Sequence, residues 1–346
     1  MEKKNWVIIS KKANFSKIAD KFAIDPVVAR LIINRGFTKD NEIKEYLTGN
    51  IDECGDAFLL KDMEKASKML LSAIENRQSI RVIGDYDVDG ITSITVLKSF
   101  LHDIGIEAAF YIPDRLKEGY GLNIPAVEKI AQEGYNLMIT VDCGITGIEE
   151  IEYAKTFGID TIVTDHHEPG EEIPDTIAVV DAKRKDNTYP FRELAGVGVA
   201  FKVIQAISTK LELDEKEYLK YLDIVCIGTI ADVVPLVDEN RTITKLGLKL
   251  LEVTKNIGLR ELINVTGYKK IDSSMVAFGI APRINACGRM GKEQEALELF
   301  LTEDINEAKE IAERLNSYNQ KRQEIEKDIF EEAKKKAEED ADKRVL

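Results

Sequence analysis

The chain has 346 residues, is 44% hydrophobic and carries a formal net charge of −14. That is enough apolar material for two or three domains, or for one large domain with an appendage, and it excludes a surface that attracts nucleic acid everywhere, though not a local basic groove. No run approaches the roughly 18 consecutive apolar residues of a membrane span; the most apolar stretch, 224–237, is broken by Asp232 and Pro235.

Residues 15–75 are predicted to be helical, because apolar residues recur three and four apart in 16–22, 26–34 and 64–74. The period then changes. Short β-branched runs at 80–83, 108–112, 137–141, 161–164 and 177–180 alternate with amphipathic segments at 91–104, 124–133 and 148–157. Such alternation predicts βαβ units, hence an α/β fold with a doubly wound, mostly parallel sheet. From Ala195 onward the pattern is helical again, at 197–211, 215–230, 245–254 and 259–265. A long charged helix is predicted over 304–343. The expected division is an N-terminal helical region (1–75), an α/β domain (76–235), a helical part of the same core (236–302) and a connecting helix (303–346).

Cys54, Cys143, Cys226 and Cys287 include no CxxC pair, so reduced thiols are expected. The apolar run 6–9 is too short for a secretory leader, which makes the cytoplasm the expected location.

Four stretches carry chemistry. In Asp85-Tyr-Asp-Val-Asp-Gly90, three alternating carboxylates follow a predicted strand, with a helix expected from near Gly90. Like charges so close repel, and a loop tolerates them when a cation offsets the repulsion; an acidic cap on the next helix is the simpler alternative. An EF-hand loop begins in the same way, but this chain has Val96 where the bidentate Glu belongs and a strand where a helix should precede.

The second stretch, Leu137-Met-Ile-Thr-Val-Asp-Cys-Gly144, again places an acid, Asp142, at a strand end; helix capping is the alternative there. The third, Asp165-His166-His167, holds two of the three histidines. Adjacent histidines point in different directions, so one can ligate a metal while the other meets substrate, and carboxylates beside them suit Mn²⁺ or Mg²⁺. His102 lies in a helical segment and is expected to pack or face solvent. The fourth, Ala231-Asp-Val-Val-Pro235, ends an apolar run with Asp232, an acid that is costly to bury without a metal or a capping role. Asp87, Asp89, Asp142 and His166 all follow strands, and in a parallel sheet strand ends share one edge.

Taken in this order, these motifs resemble the four phosphoesterase motifs of the DHH superfamily. Within it the chain is similar to the bacterial exonucleases specific for single-stranded DNA, through Arg115-Leu-Lys-Glu-Gly-Tyr-Gly-Leu122, Gly279-Ile-Ala-Pro-Arg-Ile-Asn-Ala-Cys-Gly-Arg289 and the pattern around Asn34-Arg-Gly36. The resemblance implies hydrolysis of phosphodiester bonds with two divalent ions, Mn²⁺ or Mg²⁺. Asp87 and Asp142 would serve one ion, and Asp89, Asp142, His166 and Asp232 the other, with Asp142 bridging. His167 would contact the scissile phosphate, with Asp85 and Asp165 as accessory acids. Other branches of the superfamily often place a His where this chain has Ile83, so one metal position is expected to be completed differently here.

Substrate contacts are expected from Arg115, Arg283 and Arg289, read as lying in loops with Gly or Pro, where guanidinium forks suit phosphate. Asn285 belongs to the same motif, and Tyr120 is a candidate for base stacking. Gly196-Val-Gly198 could cradle phosphate, although close helix packing is the favoured use. The implied partner is single-stranded DNA, degraded 5′ to 3′ in recombination and repair, with other repair or replication proteins as further partners and no membrane. The implied relatives continue beyond the long helix into a DHHA1-type lobe and an oligonucleotide-binding fold, so this sequence is expected to be the catalytic core alone. A phosphodiesterase of short oligonucleotides or cyclic dinucleotides is the alternative enzyme, and a non-catalytic replication scaffold the alternative class.

Overall fold

The structure, a computed structural model, describes residues 11–115, 118, 119 and 121–339. Three short helices, α1 (Phe15–Phe22), α2 (Pro26–Asn34) and α3 (Asp40–Thr48), come first, and α4 (Met63–Glu75) leads into the sheet. Then β1 (Ile80–Gly84), α5 (Val88–Asp103), β2 (Ala108–Tyr111), α6 (Ile124–Gln132), β3 (Leu137–Val141), α7 (Ile148–Thr156), β4 (Asp160–Thr164) and β5 (Ala178–Val180) alternate. All four strand pairings are parallel, in the order β2-β1-β3-β4-β5. The order reverses between β1 and β3, and at such a switch point the loops leaving neighbouring strands diverge and open a crevice.

The rest is helical: α8 (Gly196–Lys210), α9 (Lys216–Leu219), α10 (Leu222–Ala231), α11 (Asp238–Leu251), α12 (Ile257–Thr266), α13 (Ser273–Met275), a π-helical turn (Val276–Ile280), α14 (Ala281–Arg289), α15 (Glu293–Leu301) and α16 (Ile305–Glu339). The segment predicted as one helix over 215–230 is two, α9 and α10. Arg283 and Arg289, expected in loops, lie on α14; Pro282 sits in its first turn, where the missing N–H costs nothing.

Strands β1 and β3 are buried along their whole length, as a sheet covered on both faces requires. On one face α5, α8 and α10 pack together, and their apolar core extends from Ala57 to Leu315. On the other, α6 and α7 close a smaller core that contains Ile83, so that position is committed to packing. No helix among the described residues is long and apolar enough to cross a membrane.

Candidate metal centre

Each acid is placed by a specific piece of backbone. Helix α5 starts earlier than the sequence pattern suggested. Asp87 is its N-cap, with a side-chain oxygen accepting from Gly90 N–H at 3.0 Å, and Asp89 stands in its first turn, 2% exposed. The Asp89 carboxylate is held from across the fold. Its Oδ2 accepts from the Gly196 N–H at 2.6 Å and its Oδ1 from the Val197 N–H at 2.9 Å, at the start of α8. Gly196 is required there, because a Cβ would lie 2.4 Å from Asp142 Oδ1. The first turn of α8, Gly196-Val-Gly198, therefore holds carboxylates, and Val197 also packs closely on α10 at Gly228, the helix contact favoured from the sequence.

Asp142 leaves β3 in the left-handed region, φ 57°, a conformation that costs a non-glycine residue roughly 1–2 kcal/mol and clusters at functional sites. Asp232 caps α10 and is followed by Val233, also left-handed at φ 62° and 85% exposed.

His166 gathers these acids. Its Nε2 lies 3.1 Å from Asp142 Oδ1 and 3.7 Å from Asp89 Oδ2, and its Nδ1 lies 3.7 Å from Asp232 Oδ2. Ligand atoms of Asp142, His166 and His167, and separately of Asp89, His166 and Asp232, lie within 4.8 Å of one another. Asp87 belongs to neither group, although its charge raises the pKa of Asp89 and Asp232. Asp142 Oδ1 and both ring nitrogens of His166 are buried without a well-formed hydrogen bond among the described residues. Buried polar atoms are rarely left so.

Electrostatics separates the two histidines. Burial, followed by the neighbouring His167 charge, pushes the His166 pKa down to about 4, leaving a neutral imidazole suited to a metal. His167 moves the other way: its Nδ1 is 2.7 Å from Asp165 Oδ1, and that hydrogen bond raises its pKa. Burial opposes ionisation of Asp165, but His167 and the N–H groups of Ile145 and His166 hold its pKa below the usual carboxylate value. Asp165 is thus turned toward His167 and acts through it. Elsewhere burial dominates and lifts the carboxyls: Asp85 to about 7, helped by Asp87, and Asp232 to about 6. Asp89 and Asp142 are raised well above the ordinary value, by burial first and then by the charge of Asp232 on Asp89 and of Asp89 on Asp142. Oxygen donors with one imidazole, crowded and short of cations, fit hard divalent ions such as Mn²⁺ or Mg²⁺.

Of the expected substrate residues, Arg115 and the end of α14 that carries Arg289 come to Tyr86, within the first motif. The Arg115 guanidinium lies over the Tyr86 ring, 4.9 Å from its centroid, between the acids of the first motif. Gly288 brings α14 onto the same residue, since a Cβ there would sit 3.0 Å from the Tyr86 carbonyl; Arg289 follows, exposed. Asn285 is half-buried on that helix. Arg283 is turned away, its Nε donating to Asn316 at 3.0 Å and its Nη1 to the Gly279 carbonyl at 2.6 Å. Tyr120 lies outside the described residues. His102 is exposed on α5, as its position implied, 3.8 Å from Glu107. Two neighbours escaped the sequence reading: Asp181, buried just after β5 with its pKa raised by burial to about 7, and Lys183, whose charge acts on His166 and Asp232. The signal for Asp181 was the one used elsewhere, an acid directly after a β-branched run.

Residues 79–229 match the family described as DHH family, N-terminal domain. A single-stranded-DNA-specific exonuclease RecJ of Bacillus subtilis is 42% identical over 318 residues, covering 91% of this chain and 40% of that protein. A crystal structure of exonuclease RecJ bound to manganese superposes with a TM-score of 0.74 at 39% identity, over 79% of this chain and 69% of that one. For RecJ of Thermus thermophilus in complex with Mn²⁺ the TM-score is 0.79 at 33% identity, over 92% and 45%. The chain spans about half or less of the length of the curated relatives cited here. By motif, fold and arrangement of acids, it belongs to the DHH family, among its RecJ members.

Proposed function

We propose that this chain is the catalytic core of a metal-dependent exonuclease that hydrolyses single-stranded DNA from the 5′ end, in recombination and repair. One observation carries the reading: Asp89, Asp142 and Asp232 converge on a neutral His166 at the switch point of the sheet, with ligand atoms left unsatisfied and no lysine or arginine paired to these acids among the described residues. Its metal-bound RecJ relatives support it.

Asp89, Asp142, His166 and Asp232, with Asp87 at the rim, would hold two divalent cations. When bound, such a pair neutralises phosphate charge and makes water a competent nucleophile near neutral pH. The protein's own groups do the rest. Gly196 and Val197 fix the Asp89 carboxylate, so that it need not reorganise. Asp165 orients His167 and favours its protonated form, which would meet the scissile phosphate as a cation. Asp85, with a pKa near 7, can hold or release a proton beside it. Arg115, Asn285 and Arg289 would meet the strand backbone.

The test is a product analysis of 5′- and 3′-labelled single strands, duplexes and dinucleotides, with Mn²⁺, Mg²⁺ or EDTA. Metal-dependent release of mononucleotides from the 5′ end of single strands is expected. Faster turnover of dinucleotides than of long strands would place the chain with the small-substrate phosphodiesterases. Absence of Mn²⁺ binding would make it a scaffold.

A further inference from the structure

Away from the metal centre, one surface combines exposed aromatic rings with cations, in a chain of net charge −14. The loop after α12 reads Gly267-Tyr268-Lys269-Lys270, and the π-helical turn Val276–Ile280 follows shortly after. Tyr268 is 46% and Phe278 72% exposed. Tyr268 lies against the turn that carries Phe278. A Cβ on Gly279 would stand 3.2 Å from the Tyr268 ring, so the bare glycine lets that ring lie on the backbone next to Phe278. Both lysines are exposed, and Lys270 is 3.3 Å from Asp272, whose carboxylate also caps α13.

A lone exposed hydrophobic residue means little, but this one is part of an alignment. Phe278, Pro282, Asn285 and Arg289 recur four, three and four residues apart, and all are at least partly exposed. They form one stripe that ends where Gly288 docks α14 against Tyr86 of the metal loop. At about 1.5 Å per helical residue the stripe is roughly 15 Å long. Helix α14 contains no acidic residue. The π-helical turn that presents Phe278 is a rare backbone form, frequent at functional sites.

We propose that Tyr268 and Phe278, flanked by Lys269 and Lys270, form a stacking subsite for a single-stranded nucleic acid whose backbone follows α14 to the metal centre. This rests on the hydrolase reading given above. Every base offers a π-face, so aromatic platforms hold single strands without regard to sequence, and adjacent lysines meet the phosphates. The interleaved cations and the continuity with the metal loop favour this occupant over an apolar protein surface.

The test titrates fluorescent oligothymidylates of increasing length onto the 346-residue chain, with Ca²⁺ replacing Mn²⁺ to restrain turnover. For strands long enough to reach the patch, Phe278→Ala and Tyr268→Ala are each expected to weaken binding about five- to hundredfold. Replacing Lys269 and Lys270 by Ala should reduce the salt slope by about 0.7 per lost phosphate contact. Phe278→Trp, made with Trp6→Phe so that it supplies the only indole, should keep affinity and be quenched by DNA. Because these side chains are exposed, the variants should fold. If the parent chain binds oligonucleotides and Phe278→Ala binds them equally well at every length, or the indole ignores DNA, the subsite is refuted alone. If Phe278→Ala instead converts a dimer to a monomer in sedimentation, the patch belongs to a second copy and the proposal is wrong. A parent chain that binds no strand of any length overturns the substrate reading itself.

Discussion

Around Lys202 and around Asp142 the protein buries charge to a similar depth, yet the two clusters are balanced differently. Lys202 is 0% and Glu239 2% exposed, and they meet at 2.7 Å. The remaining valences are filled by the chain itself: Lys202 donates to the Gly55 carbonyl at 2.7 Å, while Glu239 accepts from Tyr189 and from the Gly55 N–H. The group pins the N-terminal segment to α8 and α11, with one cation set against one carboxylate. Asp89 and Asp142, each 2% exposed, face Asp232 and a neutral imidazole. Burying like charges without a partner is prohibitive, and the protein answers by protonation or by taking up cations. A closed cluster marks architecture; an open one marks a binding site.

Two substitutions would break the contrast most directly. Asp142→Asn keeps the shape, and asparagine tolerates the left-handed backbone at φ 57°. It should lower hydrolysis at least about 10³-fold, while the melting temperature of the metal-free chain stays level or rises. Lys202→Met should do the reverse, costing about 3–5 kcal/mol by leaving Glu239 buried and unpaired, with turnover of the remaining folded protein preserved. Calorimetry and rate measurements on both variants check this. A metal-free Asp142→Asn chain that is clearly less stable would show that this acid also supports the fold.

How much of this was legible follows the same line. The strand 137–141 was read to the residue, because five apolar or β-branched positions bounded by Asn136 and Asp142 leave little choice. The convergence of Asp89, Asp142 and His166 was also readable, since parallel topology brings strand ends together whatever the details. Long-range contacts were not. Nothing in the local pattern of Gly196-Val-Gly198 says that its N–H groups will reach Asp89, a contact 107 residues away in sequence. Helix α14 was hidden by Pro282 and Gly288, which depress helix propensity, although Pro282 is harmless in the first turn and Gly288 is what lets the helix approach Tyr86. The break between α9 and α10 has no strong sequence signal; Lys220 and Tyr221 both keep right-handed helical geometry there.

Gly196→Ala sharpens the comparison by disturbing only the frame of the open cluster. The added methyl would press on Asp142 Oδ1 from 2.4 Å while leaving the backbone N–H in place. Mn²⁺ affinity should fall about 10- to 100-fold, the usual effect of disturbing what orients a ligand. Unchanged affinity by titration calorimetry would mean that the carboxylate has room to move aside.

The smallest expected effect is on the pH dependence of the open cluster. Burial lifts Asp85 to about 7 and Asp232 to about 6, against about 4 in an unfolded chain. A carboxyl whose folded pKa is raised binds its proton more tightly when folded. Its contribution is therefore complete below the unfolded value and is lost as pH rises through the folded one. Without metal, then, these acids should erode stability between about pH 4 and pH 7, and Asp85→Asn should make that loss smaller. Saturating Mn²⁺ should oppose it, since a cation that binds only the folded, deprotonated cluster stabilises by mass action, about 2.7 kcal/mol at a hundred times its Kd. Melting curves of parent and Asp85→Asn chains across that range, with EDTA and with Mn²⁺, provide the measurement. Parallel curves in EDTA would mean that Asp85 is already balanced within the protein, and would move it from the open cluster to the closed kind.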